Sequence, residues 1–306
     1  NVPYGTLTGT STISNLVQTA YDQYVRMALR SIPVMRALAD VKPVQQAMPG
    51  SSVVFSIYSD LAQATSTLTE SSDVSSIALG NPNQITVQLQ EYGSAVTTTK
   101  KLNLTSFNDV DAALADIIAY NAADSIDAVV AGVLTSGTNI IYGGTATNTA
   151  GITAGSTISV SDIRAAVTNL RSNKALPRIG ELYAAYLHPK QTADLRAETG
   201  TGGFQDLSKY VDRTPFVAGA VGVLEGAFIV ETPRVPFTSN GTTNVYSAII
   251  AGREALAEAQ GQDISTVIGP QIDALRRFHT IGWYYFGGWN ILRTAALYNI
   301  QTSTAY

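Results

Sequence analysis

The spacing of apolar residues along the chain switches between helix and strand periods, and the switches divide it into segments. Residues 1–15 carry Gly5, Gly9 and scattered Thr and Ser without a period, which predicts a mobile arm. Val17, Ala20, Tyr21, Tyr24 and Ala28 then recur at three- and four-residue spacing, with Arg26 and Arg30 on another face, until Pro33 interrupts. That pattern predicts an amphipathic arm helix in need of a partner surface. After Pro49-Gly50 the period becomes two: Val53, Phe55 and Ile57 alternate with smaller or polar neighbours. Farther on, Ile85, Val87 and Leu89 alternate with Thr86, Gln88 and Gln90. Two strands joined by a long polar connection predict an extended hairpin.

The helix period returns over residues 107–135, with Leu114, Ile118, Ala122, Val129 and Val133 on one side and Asp109, Asp116, Asp124 and Asp127 expected on the opposite, solvated side. Gly137 ends it. At 1.5 Å per residue such a helix spans about 44 Å, long enough to act as a strut. A Gly- and Thr-rich linker at 143–156 follows, and Ser161-Asp162 is expected to cap a second helix through Ser172. Beyond it the pattern predicts a buried strand at 182–187, a short helix from Pro189 to Arg196, and strands at 221–230 and 245–251. The aromatic-rich stretch 279–300, with Trp283, Tyr284, Tyr285, Phe286, Trp289 and Tyr298, reads as strands closing the core on the long helix. Beyond the long helix, helix and strand patterns alternate.

A hairpin this poor in apolar material is marginal alone and leaves strand edges unpaired. It is therefore expected to lie on another subunit. The candidate inter-subunit contacts are Tyr21 and Tyr24 of the arm, Val53, Phe55, Ile57, Ile85, Val87 and Leu89 of the strands, and Leu68 and Glu70 of the connection.

Composition narrows the function. Of 306 residues, 45% are hydrophobic and 14% charged, and Ser and Thr make up about a fifth, a neutral hydroxyl-rich surface chemistry suited to packing against copies of itself. Net charge is −4, without the dense Lys/Arg footprint that releases counterions from nucleic acid. Arg26, Arg30, Arg36 and Lys42 are better read as solvating a helix face or pairing with a neighbour's Asp than as meeting DNA. With no cysteine, disulfides, thiolate metal sites and a Cys nucleophile are excluded. The longest apolar stretch, 216–230, is interrupted by Glu225 and falls short of the roughly 18 residues of a membrane span. No charged region followed by an apolar one opens the chain, so export by a signal peptide is not expected, and Asn103 and Asn240 carry no meaning as glycosylation sequons.

Candidate chemistry is sparse. His188, between Leu187 and Pro189, reads as a strand end, and neither it nor His279 has a partner set for catalysis or metal binding. The aspartates of the long helix read as a solvated face before they read as a cation site. Gly200-Thr201-Gly202-Gly203 lacks the spacing of a phosphate loop. The aromatics near Trp283 lack the basic groove of a base-stacking platform and read as core. No enzyme, cofactor or metal is expected.

The order of parts resembles the Hong Kong 97-like major capsid proteins of tailed double-stranded DNA bacteriophages. The most specific stretches are Ala47-Met48-Pro49-Gly50 running into Val53 to Tyr58, then Leu68-Thr69-Glu70, then Glu91-Tyr92-Gly93 followed by Val96 to Lys101, with His188-Pro189 and Gly282-Trp283 in the places that branch tends to have them. The resemblance implies an α+β fold with an N-terminal arm (1–42), an extended hairpin loop (43–101), a peripheral domain with its spine helix (102–157), an apical domain (158–258) and closing peripheral strands (259–306). It also implies an icosahedral virion shell of pentamers and hexamers assembled in the host cytoplasm. Its partners would be a separate scaffold, a portal and cement proteins, around DNA enclosed without sequence-specific binding and with no membrane. The founding member crosslinks a loop Lys to a neighbour's Asn. Residues 43–99 contain no Lys or Arg, so that isopeptide bond is chemically impossible here. The alternatives are an encapsulin-type nanocompartment shell with the same fold, which genomic neighbours would distinguish, and a secreted surface-layer or adhesin protein.

Overall fold

The computed structural model describes residues 33–43, 52–58, 61–65, 76–105, 110–199, 222–269 and 277–306, with isolated positions at 67, 70, 73 and 275. The predicted arm helix, with Tyr21, Tyr24, Arg26 and Arg30, lies outside them, as do Leu68, Asp109 and the Gly200 to Gly203 loop.

The described chain opens with a 3-10 turn (Met35–Leu38) and runs into β1 (Ala39–Pro43). β2 (Ser52–Ile57) and β3 (Asn83–Gln88) form the hairpin, and β4 (Gln90–Thr99) leads through α1 (Lys100–Thr105) to α2 (Val110–Thr135). Next come β5 (Ile140–Tyr142), α3 (Val160–Ser172), β6 (Tyr183–Leu187) and α4 (Pro189–Ala197). β7 (Val223–Leu224), β8 (Ala227–Glu231), β9 (Phe237–Ser239), β10 (Asn244–Ala251), β11 (Leu256–Ile268), β12 (Phe278–Ile291) and β13 (Leu297–Thr302) complete it.

These strands make three sheets. A four-stranded sheet has the order β1-β11-β12-β4, a larger one runs β5-β13-β10-β6-β8-β7 with β9 also on β10, and β2-β3 stands as a ribbon. The helix α2, about 39 Å long over its 26 residues, lies against the four-stranded sheet. Its Ile118, Ala122, Ile126, Val130 and Leu134 share a core with Trp283, Tyr285 and Trp289 of β12. By length and composition Leu114–Thr135 would also suffice to cross a membrane. The buried stripe on the sheet identifies it as the core helix of a folded subunit.

The larger sheet is buried on both faces at β10. Ala248 and Ile250 pack with Ile163, Val167 and Leu170 of α3, whereas Ile249 and Ala251 pack toward the α2 core. That arrangement explains the nearly unbroken apolar run of the strand.

Three expectations are corrected in detail. The cap of α3 is Ser159, two residues earlier than Ser161: its Oγ accepts from Asp162 N while the Asp162 carboxylate accepts from Ser159 N, a reciprocal capping box. In place of the one strand expected at 221–230 there are two short ones, Val223–Leu224 and Ala227–Glu231, because Glu225 (φ 50°) and Gly226 (φ 84°) occupy the left-handed region and turn the chain tightly. Third, Asp127 is 1% exposed and not on a solvated face. It sits three positions before Val130 and seven before Leu134, on the stripe that helical geometry buries.

Candidate functional site

The hairpin pairs Val53 with Val87 and Phe55 with Ile85, so one face of the ribbon carries the alternating apolar residues. That face rests on its own subunit: Val87 and Leu89 are buried with Ala257, Ala259 and Leu292, and Val53, Phe55, Ile57 and Ile85 are half-buried against them. Val87, with no exposed surface, and Leu89, at 8%, are therefore occupied inside the subunit and offer a neighbour almost nothing. The stem is held closely. A Cβ at Gly288 of β12 would lie 1.9 Å from the Gln88 carbonyl oxygen, so only glycine lets the two backbones approach this far. Asn290 Nδ2 adds a hydrogen bond to Thr86 O at 2.9 Å.

Past Ile57 the chain leaves its own core. Tyr58, Leu61, Ile77 and Leu79 are 60%, 56%, 68% and 59% exposed, and Glu70 sits at an exposed turn among them. Apolar side chains at such exposure on one projecting loop are the mark of a surface awaiting a partner. A second exposed set, Ile264, Val267 and Ile268, lies at the far end of the β11–β12 pair. Sequence reasoning missed it because β11 was not recognised as a strand.

Where the chain enters the core, three charged groups pin it. Asp127 Oδ1 accepts from Met35 N at 2.6 Å and from Arg36 N at 3.2 Å. Arg36 reaches the fully buried Glu258 with Nε 3.1 Å from each carboxylate oxygen and an Nη nitrogen 2.6 Å from Oε1. Tyr285 OH donates to the same Oε1 at 2.8 Å, and its ring lies 5.4 Å below the guanidinium. Burial first, and then the Glu258 carboxylate, push the Tyr285 phenol far above its usual range. Burial works against the Arg36 cation, yet the Glu258 hydrogen bond and charge outweigh it and raise its pKa. Arg36, expected to solvate a helix or pair with a neighbour, is thus committed within its own subunit.

Beside this cluster Arg234 pairs with Asp124, stands 3.6 Å from Asp127 Oδ2 and donates to Tyr120 OH at 2.9 Å. Arg178 bonds Asp40 at 3.4 Å and the Ala37 carbonyl at 2.9 Å, while Asp40 accepts from Glu254 N at 2.9 Å. Around the buried carboxylates Glu258 and Asp127 such pairing adds little net stability, but it specifies one geometry because any other leaves a buried charge unpaired.

The arrangement holds positions. His188 caps α4, its Nδ1 accepting from Lys190 N at 3.2 Å, and its ring lies 4.6 Å from that of Tyr246, tilted by 45°. Burial, with the nearby Lys190 charge, lowers its pKa. His279 lies in β12, where its carbonyl accepts from Thr98 Oγ1 at 3.3 Å. Among the described residues no three His, Cys, Asp or Glu side chains converge as metal ligands. Trp283, Tyr285 and Trp289 of β12 serve the core, as read from sequence, whereas Tyr284 of the same strand is half-buried outside it; Trp283 Nε1 donates to Asn121 Oδ1 at 2.9 Å.

A family model described as phage capsid protein matches residues 10–295. The fold is similar to the capsid structure of the cyanophage P-SCSP1u, with a TM-score of 0.73 and 17% identity over 95% of this chain and 94% of that one. It is similar to the capsid of Ralstonia phage GP4, with a TM-score of 0.69 and 15% identity over 94% and 95% of the two chains. For the acid-stable capsid of Helicobacter pylori bacteriophage KHP30 the TM-score is 0.67 at 12% identity, covering 99% and 100%. No curated protein matches the chain in sequence.

Proposed function

The chain belongs to the phage capsid protein family, and from that premise we propose how its parts serve a shell. It is a major capsid protein of the Hong Kong 97-like α+β fold, a structural subunit that associates with itself to form the virion capsid. The nanocompartment and secreted-protein readings are not favoured.

The hairpin connection and the arm complete their burial on neighbouring copies. The observation that carries this is the contrast along one ribbon: a stem locked onto its own subunit at Gly288, and a loop with Tyr58, Leu61, Ile77 and Leu79 all more than half exposed. Ordering such a loop costs backbone entropy that no core of its own offsets. A neighbour's surface does so, and closed symmetry lets many individually weak contacts add up. In this reading Tyr21, Tyr24, Leu68 and Glu70, with the outer edges of Val53, Phe55, Ile57 and Ile85, contact adjacent subunits. Val87 and Leu89 support the stem from beneath.

The same reading divides the chain into arm (1–42), hairpin loop (43–101), peripheral (102–157 and 259–306) and apical (158–258) parts. It has pentamers and hexamers forming in the host cytoplasm on a separate scaffold around a portal, later strengthened by cement proteins. Reinforcement is noncovalent, since residues 43–99 hold no Lys. The low net charge of −4 lets the shell enclose DNA without gripping it.

Expression of the chain with its neighbouring genes, followed by negative-stain electron microscopy, tests the reading. Shells tens of nanometres wide are expected. A well-behaved monomer under all assembly conditions, protease-resistant across residues 43–99, would overturn it.

A further inference from the structure

Between the two large sheets runs a cleft rich in cations. A small cavity of about 50 Å³ is lined by Lys174, Arg253, Glu254 and Arg293. Across Arg253 and Glu254 it continues into an open groove of about 570 Å³ bordered by Asp40, Arg178 and the hairpin's Phe55. Two of the four cations are neutralised internally: Arg293 pairs with Glu254 at 2.8 Å and Arg178 with Asp40 at 3.4 Å. Lys174 and Arg253 are exposed, and among the described residues neither has an ion-pair partner. Both are held in place by backbone bonds, Arg253 N to Leu176 O at 2.8 Å and Lys174 N to Arg171 O at 3.0 Å. The cleft therefore presents two exposed positive charges on an anchored backbone, on a protein whose net charge is −4.

The hairpin segment is its complement. Residues 43–99 contain Asp60, Glu70, Asp73 and Glu91 and not one cation. The cleft borders the stem at Phe55, whereas Asp60, Glu70 and Asp73 lie in the connection beyond Ile57. Donor and acceptor thus occupy different places on the subunit, the geometry of a head-to-tail contact that repeats around a ring.

We infer that the Lys174/Arg253 cleft receives the acidic hairpin connection of a second copy, with Glu70 as the leading carboxylate. This rests on the proposed self-assembly through the hairpin and names its receptor. Spaced carboxylates suit the cleft better than a nucleic acid does. A phosphate backbone places a charge about every 3.4 Å per strand and would meet Asp40 and Glu254 as well as the two cations.

Charge exchange in the full chain tests it. Arg253→Glu and Glu70→Lys are each expected to raise the concentration needed for half-maximal shell formation by about tenfold or more at low salt, the scale of a lost close charge pair at an interface. The Arg253→Glu/Glu70→Lys double variant is expected to recover most of that loss. Circular dichroism of the unassembled variants, matching wild type, separates assembly from folding. The inference is overturned if Arg253→Glu assembles like wild type or if the double variant is no better than the singles. It is also overturned if Arg253→Glu weakens binding of short duplex DNA or inorganic phosphate while leaving assembly unchanged. Absence of shells from wild type refutes the self-assembly reading itself. Wild-type shells with unaffected variants refute only the receptor.

Discussion

Removing the Asp127 side chain isolates what the arm anchor contributes. Asp127→Ala takes the acceptor from Met35 N and Arg36 N, bonded at 2.6 Å and 3.2 Å, and one of the two carboxylates facing Arg234. An orphaned buried donor costs about 1–3 kcal/mol. Met35 N is fully buried and Arg36 N partly so, and losing one partner of a buried charge network adds to the total. We expect a loss of about 3 kcal/mol, within the range for breaking buried pairs, or a fall of about 6 °C in Tm at about 2 °C per kcal/mol. Asp127→Asn keeps an oxygen at the Oδ1 position and should cost about 1 kcal/mol, the charge-assisted part alone. Urea unfolding of the unassembled subunit followed by tryptophan fluorescence reads this directly, because both tryptophans, Trp283 and Trp289, lie in the core packed on α2. A change within about 0.5 kcal/mol for Asp127→Ala, the range of an ordinary surface substitution, refutes the anchor. So does an Asn variant as damaging as the Ala one.

Gly288→Ala should cost about 3 kcal/mol or dislodge the hairpin stem from β12, read as new proteolytic cleavage at residues 52–57 or 83–88 in the unassembled subunit. Ser159→Ala removes the capping-box oxygen of α3 and should cost about 1 kcal/mol in the same urea assay. For His188 the folded state favours the neutral ring, so its pKa lies below the unfolded value of about 6.5. Its contribution is whole above that value and is lost as pH falls through the folded pKa. Comparing wild type with His188→Asn below about pH 6.5 should show the stability gap shrinking with acid, since Asn still caps the helix; a constant gap contradicts it.

Local periodicity made much of this legible. The hairpin strands followed from Val53, Phe55, Ile57 against Ile85 and Val87, and β6, α4 and β10 from short runs bounded by Pro and Gly. β11 did not, because Ala257, Glu258, Ala259 and Gln260 alternate only between alanine and a polar residue, and all of them favour helix. They are strand because β1 and β12 flank them and pair on both sides. The candidate loop was visible as a composition gap, but its anchorage was not. Arg36 and Glu258 are 222 positions apart, and no window of sequence relates them. The placement of Asp127 was within reach: a helical wheel drawn through Val130 and Leu134 puts it on the buried stripe.

That long separation sets an order of events during synthesis. Ala39 pairs in parallel with Leu256, and Arg36 needs Glu258 and Tyr285, so β1 has nothing to join until the stretch from 256 to 285 has left the ribosome. Nascent copies side by side on one polysome therefore lack a finished docking platform, and translation itself delays association until β11 and β12 have emerged.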